Sequence, residues 1–280
     1  MKNLTLLVVV VFCVLGAVGQ SPRSKTKTPV KPAVRITESA NTRNAAFTAA
    51  AASNSTLRNE LTWTFGGKQQ HGWYLYDLLI NKTLDSQHDT SSDNFAATLA
   101  KWQKKRGLGS DGVLNENSLM AFVSQWQSNR LKDRTPATAE QLITAPPTDF
   151  YDPGRAPELR QVERDTYEAY KKMMAAAAAD PEVKLSAQYL KIVSAFRSRE
   201  YQDELRRKSP NSGSAGLAVN SPHFTGRALD LYVGGSPVDT RDTNRAIQVN
   251  TPAYRWLVRN AEHFGFRPYF YEPWHWEYVK

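Results

Sequence analysis

The chain has 280 residues, a formal net charge of +9, and 41% hydrophobic and 11% aromatic residues. That apolar content excludes a wholly disordered chain, and the length allows one sizeable core plus a second small module. The basic balance points to anionic partners, no nucleic-acid-binding motif accompanies it, and the single cysteine, Cys13, excludes a disulfide framework.

Residues 1–19 have the layout of a secretory signal peptide. Lys2 gives the positive start, Leu4 to Leu15 the apolar run, and Ala17-Val18-Gly19 the small-residue cleavage pattern. The apolar run is too short for a membrane span, so no stable membrane insertion is expected after cleavage. Bulky Phe12 before Cys13 does not suit a lipoprotein signal, and cleavage after Gly19 leaves no thiolate to ligate a metal. The chain is therefore expected to be secreted, periplasmic or associated with a cell wall. Residues 20–56, rich in Ser, Thr, Lys, Pro and Ala, read as a disordered or loosely helical tether.

Residues 57–131 read as a small all-α module. Trp73, Leu75, Leu78 and Leu79 suggest a first helix. Phe95, Leu99 and Trp102 fall at helical spacing, and Gly107 stops that helix. Asp111-Gly112 marks a turn, and Asn115 or Asn117 is placed to cap a helix carrying Leu119, Phe122, Val123 and Trp126. The run from Phe95 through Trp102-Gln103, Gly107-Leu108 and Asp111-Gly112 to Ser118 resembles the small helical peptidoglycan-binding domains, with Trp102, Asn115 and Ser118 departing from their pattern. The alternative is an unrelated helical module that packs on its neighbour. Trp63 and Trp73 suit either a sugar-stacking surface or a core. A wall-binding module would be removable: deletion of residues 57–131 would weaken sedimentation with insoluble peptidoglycan and spare cleavage of a short soluble peptide.

Residues 132–157 hold five prolines and read as a stiff, partly packed linker. Residues 158–280 form the last unit. Leu159, Val162, Tyr170, Met173, Met174 and Ala177 make one helix face, broken by Asp180-Pro181. Tyr189 to Phe196 reads as a buried strand ending at Arg197, and Arg199 to Lys208 as a charged surface helix. Ser209 to Asn220 is a loop, Arg227 to Val233 a strand, and Tyr254 to Phe264 a helix stopped by Gly265.

Two clusters carry the chemistry. The first is Ser221-Pro222-His223-Phe224-Thr225-Gly226-Arg227-Ala228-Leu229-Asp230; the second is Glu272-Pro273-Trp274-His275-Trp276-Glu277-Tyr278. Two imidazoles and a carboxylate are a frequent ligand set of catalytic zinc, whose fourth position is left to water. A further carboxylate beside them acts as general base. His223, Asp230 and His275 are assigned as ligands and Glu272 as base. Pro273 argues against a helix there, so this is not a helical His-Glu-x-x-His site. Alternation of Trp274, Trp276 and Tyr278 with His275 and Glu277 reads as a strand, with Glu272 on the preceding loop. Asp230 lies on one strand face, with Leu229 and Leu231 on the other, and Gly226 allows the turn that folds His223 back.

The pattern Ser-x-His-x-x-Gly-x-Ala-x-Asp followed by Glu-Pro-Trp-His-x-x-Tyr resembles the VanY-type zinc D-alanyl-D-alanine carboxypeptidases, to which VanX dipeptidases and some phage-type cell-wall endopeptidases are related. Ser194-Ala195-Phe196-Arg197-Ser198 with Tyr201-Gln202, and Trp256-Leu257 with Asn260-Ala261 and Phe264-Gly265-Phe266, are further points of likeness. Phe196 stands where the family often has Tyr, and Pro222 where it often has Glu. The resemblance implies an α+β fold, a small antiparallel sheet with flanking helices like that of the Hedgehog signalling domain, and one Zn2+ per catalytic domain. It implies cleavage of peptidoglycan stem peptides, first as a D-alanyl-D-alanine carboxypeptidase, otherwise as an L,D-carboxypeptidase or endopeptidase. Arg197 would steady a substrate carboxylate or developing oxyanion; Ser221, Tyr201 and Gln202 would contact substrate. The competing class is a catalytically silent zinc-containing wall-binding protein, which has no need of Glu272. His71, His88 and His263 are not expected to be ligands.

Overall fold

In the computed structural model, residues 34–209 and 218–279 are described, with side chains from residue 42 onward. The signal-peptide expectation for residues 1–19, the first part of the tether and residues 210–217 of the loop lie outside these. Among the described residues no helix is long and apolar enough to cross a membrane. Asn41–Lys280 forms one compact unit.

The expected tether is helical in its second half: α1 (Val34–Glu60) runs past the boundary anticipated at residues 56/57. Its alanines favour a helix without supplying a bulky apolar stripe, which is why periodicity did not disclose it. Ala50, Ala51 and Asn54 are buried. Asn54 donates to the Gly112 carbonyl (2.9 Å) and accepts from the Leu114 N–H (2.7 Å), pinning α1 to the loop before α4.

The next segment is not all-α. Strands β1 (Thr62–Phe65) and β2 (Lys68–His71) form an antiparallel hairpin. Gly66 and Gly67 join them at φ 58° and 76°, the paired positive values that a two-residue type I′ turn requires. Then come α2 (Asp77–Leu84), α3 (Asp93–Lys105) and α4 (Glu116–Ser128). Asn115 caps α4 by accepting from the Ser118 N–H. Gln103 is fully buried. It donates to Asp111, the Val113 carbonyl and Ser118, and accepts from the Gly112 N–H. The residues that carry the likeness to peptidoglycan-binding domains thus serve the module's own packing. Trp63 and Trp73 are buried and so withdrawn from sugar stacking.

The Pro-rich stretch contributes β3 (Leu142–Thr144), paired with β4 (Gln161–Glu163). Val162 therefore pairs with Ile143, and α5 (Arg164–Ala177) begins later than the apolar spacing suggested. Glu163 caps α5 by accepting from the Thr166 N–H (2.8 Å). The central sheet contains β5 (Ile192–Ser194), β6 (Ala228–Leu231), β7 (Phe266–Pro268) and β8 (His275–Tyr278). Its order is β5-β6-β8-β7, and every pair is antiparallel. Helices α6 (Arg199–Lys208), α7 (Asp242–Val249) and α8 (Pro252–Asn260) complete an α+β fold of the expected class.

One apolar cluster runs from the hairpin and α2–α4 into the sheet. Phe270 is its hinge point: its ring lies 4.7 Å from Phe65, 5.4 Å from Tyr76 and 5.7 Å from Trp126, centroid to centroid. Arg245, also buried, donates to Tyr76 and to the Tyr271 carbonyl and lies over the Tyr271 ring. Deleting residues 57–131 would strip these partners away. The packing therefore argues against a deletion that spares cleavage. Phe270→Ala is expected to lower the stability of the whole unit by about 3–5 kcal/mol, the usual loss for a buried phenylalanine, in a single urea transition. Two separate transitions would show that the helical part and the sheet fold independently.

Candidate metal centre

Strand pairing builds the site. Asp230 of β6 lies directly opposite His275 of β8, and Ser194 of β5 is its partner on the other side. His223 comes from the short 3-10 turn Pro222–Thr225. Ser221 Oγ caps that turn by accepting from the His223 N–H (3.3 Å). Gly226 ends it at φ 66°, in the left-handed region that favours glycine. A Cβ at position 226 would sit 2.9 Å from the Glu163 nitrogen, so the turn and β4 can approach only with glycine there.

The result is a buried cluster of His223, Asp230 and His275, whose donor atoms lie within 4.8 Å of one another. Asp230 Oδ1 is 3.3 Å from His223 Nε2 and 2.9 Å from His275 Nδ1. The outer nitrogens are engaged elsewhere. His223 Nδ1 lies 2.6 Å from the Ala195 carbonyl, which only an Nδ1–H satisfies, leaving Nε2 as a lone-pair donor. His275 faces a carboxylate at each nitrogen, Glu277 Oε1 at 3.2 Å from Nε2 and Asp230 Oδ1 at 2.9 Å from Nδ1; with the Nε2–H kept on Glu277, Nδ1 is the nitrogen that would give up its proton to a metal. Donors about 3.4 Å apart suit tetrahedral bonds of zinc length. An imidazole whose second nitrogen is tied to a carbonyl or carboxylate is the usual form of a metal-ligating histidine. The donor set therefore fits a divalent metal.

Charge is distributed unevenly around the cluster. Burial would raise Asp230, but His223 and Arg197 outweigh it and hold the carboxyl well below its usual range. Burial, helped by the Arg197 charge, pushes His223 down to about 4. Burial alone would lower His275 too, yet its bonds to Asp230 and Glu277 prevail and raise it to about 9. The two histidines differ because His275 binds two carboxylates, Asp230 and Glu277, whereas His223 feels the Arg197 charge and has a neutral carbonyl at its outer nitrogen.

Arg197 stands just beyond β5. It donates to Asp230 Oδ2 (2.5 Å), to Ser194 (2.9 Å) and to Gln202 (3.3 Å). Gln202, expected at the substrate, is buried and has both amide ends engaged, accepting from Arg197 and donating to the Ala218 carbonyl (3.1 Å). Tyr201 is half-buried in the first turn of α6, its N–H donated to the capping Ser198. Glu272 precedes β8 in a turn in which the His275 N–H donates to the Glu272 carbonyl (2.9 Å). Its side chain is buried, and burial pushes it up to about 8 against the opposing influence of His275. His71, His88 and His263 are exposed and apart from this cluster.

Sequence reasoning missed four residues. Glu277 is fully buried beside His275, and the i, i+2 alternation of a strand was signal enough to place it on the same face. Arg130 and Arg134 bind Glu277 from far along the chain, and no local pattern announces them. Arg155, half-buried in the Pro-rich stretch, shares the electrostatic neighbourhood of Tyr201, Arg197 and Asp230.

The protein is thus an α+β scaffold with a buried two-histidine, one-aspartate cluster and a buried glutamate on the turn leading into it. Residues 159–280 match the family model for VanY, D-alanyl-D-alanine carboxypeptidase. A solved structure described as that of "the LdcB LD-carboxypeptidase" is similar at 24% identity, over 52% of this chain and 71% of that one, with a TM-score of 0.38. No curated protein matches the chain.

Proposed function

We propose that the chain is a zinc-dependent carboxypeptidase of peptidoglycan stem peptides, acting first on D-alanyl-D-alanine ends. The observation that carries this reading is the buried cluster of His223, Asp230 and His275 with Glu272 on the adjoining turn, inside the stretch that matches the VanY family model. His223 Nε2, Asp230 Oδ1 and His275 Nδ1 would hold the metal. Zinc bound there supplies Lewis acidity, lowering the pKa of a water and polarising the scissile carbonyl.

The protein's own groups do the rest. Glu272 takes the proton of the attacking water and passes it to the leaving amine. Its buried setting raises its basicity into the range where a general base is effective near neutral pH. Three of the five Arg197 N–H donors are used on Asp230, Ser194 and Gln202. The remaining two can meet the oxyanion or the terminal carboxylate of the substrate. Gln202 acts through Arg197, and Ser221 holds the His223 turn while keeping its hydroxyl proton for a substrate group. Tyr201, near Arg155, lies at the edge of this group and would contact substrate. A wall substrate suits both the net positive charge and the signal-peptide pattern of residues 1–19, and with them export from the cytoplasm.

Incubation of the purified chain with intact muropeptides, followed by mass analysis, tests the proposal. Loss of one alanine from pentapeptide stems is expected. Loss of alanine from tetrapeptides would assign L,D specificity, and separation of cross-linked dimers an endopeptidase. Unchanged muropeptides with bound zinc would favour the silent wall-binding protein.

A further inference from the structure

The buried acid beside the second histidine has no part in the proposed hydrolysis. Glu277 is fully buried, and a carboxylate in that position is tolerated only when its oxygens are well partnered. Its partners come from a distant part of the chain. Arg130 donates to Oε1 through Nε (3.1 Å) and Nη2 (2.5 Å), and the Leu131 N–H donates to Oε2 (2.9 Å). Arg134 reaches Oε1 at 3.4 Å. Oε1 also faces His275 Nε2 at 3.2 Å.

Arg130 is itself fixed. It follows α4 directly, donates to Gln127 (3.2 Å), and its guanidinium lies 3.9 Å from the centre of the Tyr269 ring. Tyr269 in turn meets His275 edge-on, at 5.9 Å and 83°. Two routes thus lead from Arg130 to the His275 imidazole, one through a carboxylate and one through a ring. Both start outside the stretch that matches the VanY family.

We propose that Arg130 is a positioning residue of the metal centre: it fixes Glu277, which holds the His275 Nε2–H and so directs the Nδ1 lone pair toward the metal. This rests on the proposed metal site and gives the helical module a part in the hydrolytic machinery. Arg130 touches neither substrate nor metal. Its planar fork suits the carboxylate in a way a lysine ammonium matches only in charge.

The test uses the full chain and its Arg130→Gln, Arg130→Lys and Lys132→Gln variants. Lys132 is an exposed neighbour bonded to the Gln127 carbonyl, and it serves as the charge control. Zinc affinity is measured by chelator competition, and the imidazole N–H signals of the zinc-loaded protein are followed by NMR. Arg130→Gln is expected to weaken zinc binding by about ten- to hundredfold, the usual effect of removing an outer partner of a ligating histidine. The His275 Nε2–H signal should lose its protection from exchange. Arg130→Lys should recover part of the affinity, and Lys132→Gln should match the unaltered chain. Zinc affinity and N–H protection unchanged in both Arg130 variants would overturn the inference, as would a loss of urea stability alone. If Arg130→Gln does not fold, Arg130→Lys decides: weaker zinc binding in a folded protein supports the role, and unaltered binding removes it. An unaltered chain that takes up no zinc would overturn the proposed function together with this inference.

Discussion

Glu272→Gln is expected to fold, to retain its zinc and to lose turnover by about a hundred- to ten-thousandfold, the contribution of a positioned proton transfer. The substitution keeps size and removes the basic carboxylate. Among the described residues no hydrogen bond ties its side chain to the cluster, whereas His223, Asp230 and His275 are tied to one another. The loss should fall mainly on kcat, because Glu272 acts chiefly in the transition state. The pH profile gives a second reading. A base works only when ionised, so the rate of the unaltered enzyme rises with pH through the pKa of Glu272. Burial pushes that value up to about 8, and a cation bound at the cluster would draw it down. The rising limb should therefore lie at or below about pH 8 and vanish from the residual activity of Glu272→Gln. A variant that loses its zinc would instead make Glu272 a ligand.

His275→Ala and His223→Ala should each abolish stoichiometric zinc, measured by elemental analysis, and activity with it. Both proteins should still fold. In His275→Ala, Asp230 keeps Arg197 and His223 as partners, and Glu277 keeps Arg130 and the Leu131 N–H. No buried charge is then left alone, the situation that makes loss of one member of a buried pair most damaging. Full zinc in both variants would refute the ligand assignment.

The site was legible in the sequence to the extent that its chemistry is local. His223, Gly226 and Asp230 lie on one turn and the strand after it, and His275 and Glu272 on another strand and the turn before it. Each cluster carries its residue types at spacings that a strand or turn explains. What joins the clusters is the antiparallel register of β6 on β8, which brings Asp230 opposite His275. The resemblance implied that meeting, but no local spacing dictated it. Residues that act across long separations escaped notice. Arg130 and Glu277 are 147 positions apart, and neither looks unusual among its neighbours. The division into modules was misleading for a related reason. Composition shifts at the prolines of residues 132–157, but the packing of Phe65, Tyr76 and Trp126 around Phe270 ignores that shift. The hairpin was written in Gly66-Gly67, yet its flanking strands are too short and polar to show alternation.

Sheet order also governs when hydrolysis can begin. Strand β8 comes after the other three in the chain but occupies an interior place between β6 and β7. A nascent polypeptide that ends before β7 can pair β5 with β6 and place Asp230 near His223, but it has no His275, no Glu272 and no completed sheet. Insertion of β8 is a contact of long sequence separation, the kind that forms late and slowly. On the proposed function, a chain whose β8 has not yet inserted is inert, and the metal cluster is completed in one step with that strand.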